Sequence, residues 1–310
     1  MQAASETIGF VAIGDEILRG ETREANGYAL ATRLQRKGLA LTELRVVPDS
    51  ALPVAAALRD LAQSCRLIIT SGGLGPTDDD GTRLAMADVT GRKLVENETL
   101  ADGIRSRYAK LGREWIALNL RQAMIPQGCA PLANLHGTAP GFVVPLGDSW
   151  VAALPGPPRE LRGMVDDHLD QLLQTAGIRA APITEHCLRV FGLTESGLAH
   201  KLSEIPGFSG VAVRSLPSFP DIRLEIRAAS GHTDASAAAF ADRAAVRLGW
   251  RVYARSRDAT FAGELVTLLQ TRGQTVAVAE SCTGGLVGHL LTDVPGVSAT
   301  LLAGFCTYSN

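Results

Sequence analysis

The run Ser71-Gly-Gly-Leu-Gly-Pro-Thr-Asp-Asp-Asp80 sets Gly72, Gly73 and Gly75 immediately before three successive carboxylates. Glycines allow backbone N–H groups to close around a phosphate, and a helix that follows adds the positive end of its dipole. Thr77 or Asp78 can act as an N-cap, and acids in a first helical turn suit the dipole, which accounts for one or two of the aspartates. A third exceeds that need. Carboxylates at Asp78, Asp79 and Asp80 beside a phosphate cradle repel the phosphate unless a divalent cation lies between them, so the pattern points to Mg²⁺ or Mn²⁺ bridging carboxylate and pyrophosphate oxygens. Two other turns have related composition: Gly14-Asp15-Glu16, and Pro155-Gly156-Pro157-Pro158 followed by Glu160. Asp15 and Glu16 can join the same metal or activate water. Any one of these loops alone reads equally well as turn punctuation after a strand.

Two further stretches carry candidate chemistry. Residues 119–141 form a long turn-rich passage with Asn119, Gln122, Asn134, Gly137, Thr138 and Pro140. Its amides either read a base or ribose edge or bond their own backbone, and both readings stand. Ser281 follows Glu280 at the expected start of a helix, as an N-cap or as a nucleophile whose oxyanion is held by amide donors of the helix start. No histidine stands ready as its base. Tyr308 lies in the same region, and no lysine follows Lys201. The six histidines show no ligand-like spacing. Phosphate-loop, GxGxxG, HExxH and GxSxG patterns are absent. Gly207-Phe208-Ser209-Gly210 has the GxxG form of RNA-binding KH loops but no flanking Lys or Arg, and reads as a turn.

The elements that must position these residues alternate strand, glycine turn and helix. Strands are expected at Ile8 to Ile13, Leu44 to Val47, Arg66 to Thr70 and Trp150 to Leu154, with helices from Asn26 to Lys37, Leu52 to Gln63 and Glu160 to Leu173. That order argues for a parallel sheet covered on both faces, with ligands at the carboxyl ends of its strands. Beyond Ala181 the expected order becomes β-α-β-β-α-β, a ferredoxin-like module. After Asp258 the α/β alternation resumes, with a last strand from Thr300 to Thr307.

Composition bounds the function. The chain has 310 residues, 46% apolar and 20% charged, with net charge −2. A near-neutral chain has no surplus positive field for a phosphate polymer, so small-molecule chemistry is expected rather than nucleic-acid binding. No signal-like N-terminus and no apolar run long enough to span a membrane occur, so no membrane association and a cytoplasmic location are expected. Five scattered cysteines without a CxxC pair fit reduced core thiols. A homo-oligomer is expected on base rates.

The motifs Gly14-Asp15-Glu16-Ile17-Leu18 with Asn26, Thr70 to Asp79, Asn119 to Gln122, Asn134 to Phe142 and Leu154 to Glu160 resemble the competence/damage-inducible CinA family over essentially the whole chain. The resemblance implies a three-layer, parallel-sheet MoaB/MogA-like molybdopterin-binding domain over residues 1–180, a ferredoxin-like linker over 181–257, and the start of a nicotinamide mononucleotide deamidase domain over 258–310. It also implies that the first domain splits ADP-ribose, with metal, into AMP and ribose 5-phosphate, in pyridine-nucleotide recycling. The usual ADP-ribose hydrolase signature, GX₅EX₇REUXEEXGU, is absent, so that activity has to come from the aspartate loop. Asp15, Glu16, Asp78 and Asp79 are then the expected catalytic residues. Gly14, Asn26, Ser71, Gly72, Gly73, Gly75, Thr77, Asn119, Gln122, Gly137, Thr138, Pro155, Gly156 and Glu160 are the expected substrate contacts. The alternatives are nicotinamide mononucleotide deamidation through the C-terminal domain, and a nucleotide- or molybdopterin-binding module without turnover.

In Ala279-Glu-Ser-Cys-Thr-Gly-Gly285 and Thr307-Tyr-Ser-Asn310, the resemblance makes Ser281 the acyl nucleophile and Tyr308 the tyrosine of a YSNxxK motif. The lysine of that motif falls three positions past Asn310. This α/β domain is therefore expected to be truncated, and the 310-residue chain to lack deamidase activity. Release of nicotinic acid mononucleotide and ammonia by the purified chain would overturn that expectation.

Overall fold

The computed structural model describes residues 7–77, 80–110, 112, 114–181 and 184–308. The chain forms two compact units, residues 1–183 and 184–310. In the first, β1 (Ile8–Ile13) leads through Gly14 into the single turn α1 (Asp15–Leu18), then α2 (Asn26–Arg36), β2 (Leu41–Val47), α3 (Ala51–Leu61) and β3 (Leu67–Ser71). There follow α4 (Thr82–Thr90), β4 (Leu94–Glu96), α5 (Glu98–Lys110), a 3₁₀ turn at Ala117–Ala123, and the short strands β5 (Met124–Pro126) and β6 (Ala130–Leu132). The unit closes with β7 (Gly141–Leu146), β8 (Ser149–Leu154) and α6 (Pro158–Thr175).

Six strands make one sheet in the order β2-β1-β3-β8-β7-β6. All residues of β1 and β3 are buried. Their side chains alternate between two cores, as the pleat requires. Ile8, Phe10, Ala12, Leu67 and Ile69 meet Leu30 and Leu34 of α2 and Leu161, Met164 and Leu172 of α6. Val11, Ile13 and Ile68 meet Val54, Leu58 and Leu61 of α3 and Met86 of α4 on the other face. The result is the expected three-layer α/β/α arrangement.

The sheet is not wholly parallel. β7 runs antiparallel to both β8 and β6, while β2, β1, β3 and β8 are parallel. The cause is local: Gly147 and Asp148 form a two-residue turn between β7 and β8, with Gly147 at φ +59°, and so short a connection permits only antiparallel neighbours. The passage 119–141 is likewise not all loop, since the 3₁₀ turn, β5 and β6 fall within it. Strands of three residues are too short to display a period. α5 escapes notice for another reason: only Ala101 and Ile104 of its thirteen residues are buried, so it lacks an apolar stripe.

The second unit opens with β9 (His186–Phe191), α7 (Glu195–Ser203), β10 (Val211–Ser218), β11 (Asp221–Ala228), α8 (Asp234–Leu248) and β12 (Val252–Ala254). The four strands are antiparallel in the order β10-β11-β9-β12, the arrangement of a ferredoxin-like module, with Leu188, Val190, Leu224 and Ile226 packed on Leu198, Leu202 and Phe240. Then come α9 (Phe261–Thr271), β13 (Val276–Glu280), α10 (Leu286–Thr292) and β14 (Leu301–Cys306). β13 and β14 pair in parallel, and Leu302 and Phe305 are exposed. Among the described residues no helix is long and apolar enough to cross a membrane.

The thiols divide by environment. Cys65 and Cys187 are buried and Cys129 half-buried, whereas Cys282 and Cys306 are exposed, so the expectation of core thiols holds for only part of the set. Burial pushes the Cys129 and Cys187 thiols up to about 11. At pH 8 only about one in a thousand of such thiols is ionised. Iodoacetamide is therefore expected to label Cys282 and Cys306 in the native protein, and Cys65, Cys129 and Cys187 only after denaturation, as read by peptide mapping.

Candidate functional site

β1, β3 and β8 are parallel neighbours, in register so that Ala12 lies beside Ser71 and Ser71 beside Leu154. Their carboxyl ends therefore coincide, and the loops after Ile13, Ser71 and Leu154 must share one space. The connections leave β1 and β3 in opposite directions across the sheet, so this edge is the topological switch point where open α/β sheets bind ligands.

Three devices hold the loops together. Gly72, at φ +116°, brings its backbone against the end of β1: a Cβ there would lie 2.2 Å from the Ile13 carbonyl oxygen. Asn26, at the start of α2, donates through Nδ2 to Ser71 Oγ at 2.8 Å and to the Gly156 carbonyl at 2.7 Å, tying the ends of β3 and β8 to one amide on the helix between β1 and β2. Ser71 Oγ in turn donates to the Pro155 carbonyl at 3.3 Å. Arg83, buried in the first turn of α4, donates to the Gly75 carbonyl at 2.9 Å and also to the Leu74 carbonyl. Burial lowers its guanidinium to about 10, against the opposing pull of Asp80, so it stays protonated at neutral pH.

The carboxylate of Asp80 is committed to its own loop. Oδ1 accepts from the Gly75 N–H at 2.6 Å, and Oδ2 accepts from the Thr77 N–H and hydroxyl at 2.8 and 2.6 Å. Asp78 and Asp79 lie outside the described residues. Asp15 is paired with Arg19 at 2.8 Å, and its N–H donates to Asp49 Oδ2 at 2.8 Å. Among the described residues, no three His, Cys, Asp or Glu side chains converge closely enough to hold a metal ion.

The three loops enclose a cavity of about 460 Å³. Of the expected contacts, Glu16, Asn26, Gly72, Gly73, Gly75, Gln122, Thr138, Pro155, Gly156 and Glu160 line it. Gly14, Asp15, Ser71, Thr77 and Asn119 do not, and Gly137 lines a neighbouring cavity. Among the described lining residues, the carboxylates of Glu16, Asp49, Asp80 and Glu160 stand against the cation of Arg23. Two amide oxygens of lining residues, Asn26 Oδ1 and Gln122 Oε1, are buried without a hydrogen-bond partner among the described residues. A buried amide oxygen left so costs about 1–3 kcal/mol.

Sequence reasoning missed Arg83, Asp49 and the role of Asn134, whose Nδ2 donates to Glu160 Oε2 at 2.7 Å and to the Ala139 carbonyl at 2.8 Å. The signal for Arg83 was a cation in the first turn of a helix, where the dipole disfavours it.

In the second unit, Ser281 and Tyr308 follow the ends of the neighbouring parallel strands β13 and β14, and both are exposed. Ser309 and Asn310 lie outside the described residues. The N-cap of α10 is Gly285, not Ser281, and its first-turn N–H groups are taken by the Glu280 carboxylate, which accepts from Val287 and Gly288 at 2.8 Å each. Burial raises the Glu280 carboxyl, but these bonds outweigh it and hold it below the usual range. Two amide donors of the helix start are thus already taken.

A family model described as "Probable molybdopterin binding domain" matches residues 9–175, and one described as "CinA C-terminal domain" matches residues 258–310. The chain is 36% identical over 310 residues to a "CinA-like protein" of Syntrophotalea carbinolica, covering 99% of this chain and 74% of that protein. It is 38% identical over 306 residues to a "Putative competence-damage inducible protein" of Symbiobacterium thermophilum, covering 97% and 72%. Among solved structures, "the protein CinA with unknown function" from Thermoplasma acidophilum superposes with a TM-score of 0.51 at 30% identity, over 55% of this chain and 99% of that one.

Gly72→Ala is expected to destabilise the fold by about 2 kcal/mol or more, since a positive φ alone costs about 1–2 kcal/mol and the Cβ also meets a carbonyl. Gly20→Ala, at φ +74° with nothing within 4 Å, should show the conformational cost alone. Urea unfolding of the two variants separates these contributions.

Proposed function

This chain belongs to the CinA-like family, and from that premise we propose that its N-terminal domain is a metal-dependent pyrophosphatase that hydrolyses ADP-ribose to AMP and ribose 5-phosphate. The supporting observation is the cavity at the shared carboxyl ends of β1, β3 and β8, whose described lining combines Gly72, Gly73, Gly75 and Gly156 with four carboxylates. Glycine backbone can approach phosphate oxygens closely, and a volume of about 460 Å³ has room for a nucleotide-sized ligand rather than a bare phosphate.

The four carboxylates of the described lining, set against Arg23, repel a pyrophosphate unless a cation is shared, and hard oxygen donors suit Mg²⁺ or Mn²⁺. When bound, that ion neutralises the pyrophosphate. Asp78 and Asp79 are the proposed holders, because Asp80 already closes the loop. The Gly73 and Gly156 N–H groups have no acceptor among the described residues and are available to phosphate oxygens. Glu16, which lines the cavity, is the proposed acceptor of the proton of an attacking water. Oxygen of that water forms a bond to one phosphorus, the bond to the bridging oxygen breaks, and two monophosphates leave.

Binding without turnover is the second reading, favoured by the lack of a three-ligand metal cluster among the described residues.

With Mg²⁺ or Mn²⁺ the chain is expected to release AMP and ribose 5-phosphate from ADP-ribose, and Asp79→Asn and Glu16→Gln each to lower kcat by about a hundredfold. Unchanged turnover in Asp79→Asn sinks the site assignment, and tight calorimetric binding without product supports the second reading.

A further inference from the structure

A second cavity, of about 370 Å³, adjoins the first through Thr138, which lines both. Between them runs the 134–139 segment, pinned to Glu160 by Asn134. A Cβ on Gly137 would lie 1.8 Å from Glu160 Oε2, so a larger residue there would displace that carboxylate. The two spaces have opposite character. The first is acid-lined; the described lining of the second has no carboxylate, an apolar wall from Leu100, Ile104, Leu135 and Pro140, and two cations, Arg107 and Lys110.

Both cations sit in the last turn of α5, where they suit the helix dipole. The Arg107 guanidinium also donates to the Leu135 carbonyl at 2.9 Å, while its Nε is buried without a hydrogen-bond partner among the described residues. Anchored on the cavity wall in this way and set beside Lys110, it gives the described lining two positive charges and no negative one, which favours an anion.

We propose that the second cavity is the distal subsite of the same ligand site, where the apolar wall takes a nucleobase and Arg107 with Lys110 takes a phosphomonoester on the attached ribose. The proposal rests on the reading of the first cavity as a pyrophosphate site. It makes the preferred ligand class a nucleoside diphosphate derivative with a third phosphate on its nucleoside arm.

ADP-ribose and ADP-ribose 2′-phosphate differ in that one group, and their dissociation constants are to be compared by titration into the full chain with Mg²⁺. A charge-assisted contact predicts binding about tenfold tighter for the phosphorylated ligand. Lys110→Ala, at an exposed position that folding does not depend on, should cut that preference, and Lys110→Ala with Arg107→Met should bring the ratio to about one. Arg107→Lys should retain part of it. Equal binding of the two ligands to the unaltered chain, or a preference that the double variant keeps, overturns the subsite alone. Failure of both ligands to bind overturns the pyrophosphate reading and the subsite with it.

Discussion

The site depends on how closely three parallel strand ends approach one another. β1 and β3 are adjacent, and the backbone at Gly72 passes so near the Ile13 carbonyl that no side chain fits between them. Only with that approach can one amide, Asn26, reach Ser71 and Gly156 together. The alternation of Ile8, Phe10 and Ala12 with Val11 and Ile13 between two cores fixes β1 from both faces, so its end is held by packing on both sides of the sheet. Precision at the cavity is thus inherited from burial within the sheet.

Charge then decides which groups of the glycine loop face a ligand. Arg83 is buried beneath the loop and its donors go to the Leu74 and Gly75 carbonyls, while Asp80 takes the N–H groups of Gly75 and Thr77 from the other side. The loop is clamped between a cation and a carboxylate, and Thr82 adds a bond from Oγ1 to the Gly72 carbonyl at 2.8 Å. Among the described residues from Gly72 to Asp80, the N–H groups of Gly72, Gly75, Thr77 and Asp80 are therefore structural. A phosphate cradle formed by every N–H of the loop is too generous a picture; Gly73 and Leu74 are the loop donors without an acceptor among the described residues, with Gly156 facing them from the next loop.

Much of this could be read from the sequence. Long buried strands such as Ile8–Ile13 and helices with a clear apolar stripe such as α2 announce themselves by period, as did the β-α-β-β-α-β order of the second unit. The region from Thr82 to Leu146 did not. α5 is polar on most of its surface, β4, β5 and β6 have three residues each, and β7 takes its direction from a tight turn rather than from its own residues. At the site, glycines and Asn26 were legible because their chemistry is unusual in place. Arg83 and Asn134 were not: Arg83 works within its own loop through backbone carbonyls, which no side-chain pattern marks, and Asn134 meets Glu160, far away in sequence, only once the chain has folded.

The same reasoning separates three adjacent aspartates that the sequence presents as equals. A carboxylate has two oxygens and about four lone-pair positions. Asp80 spends three of them on Gly75 and Thr77, and its proximity to Arg83 balances its charge. With these bonds Asp80 fixes Gly75 and Thr77 from within the chain, so the turn at that point is closed by the protein's own carboxylate. Glu280 stands in the same relation to Ser281, taking first-turn N–H groups of α10 with its own carboxylate and leaving the serine hydroxyl out of the helix start. In both units, the acid that a motif places beside a candidate reactive group serves first to fix the backbone on which that group is displayed.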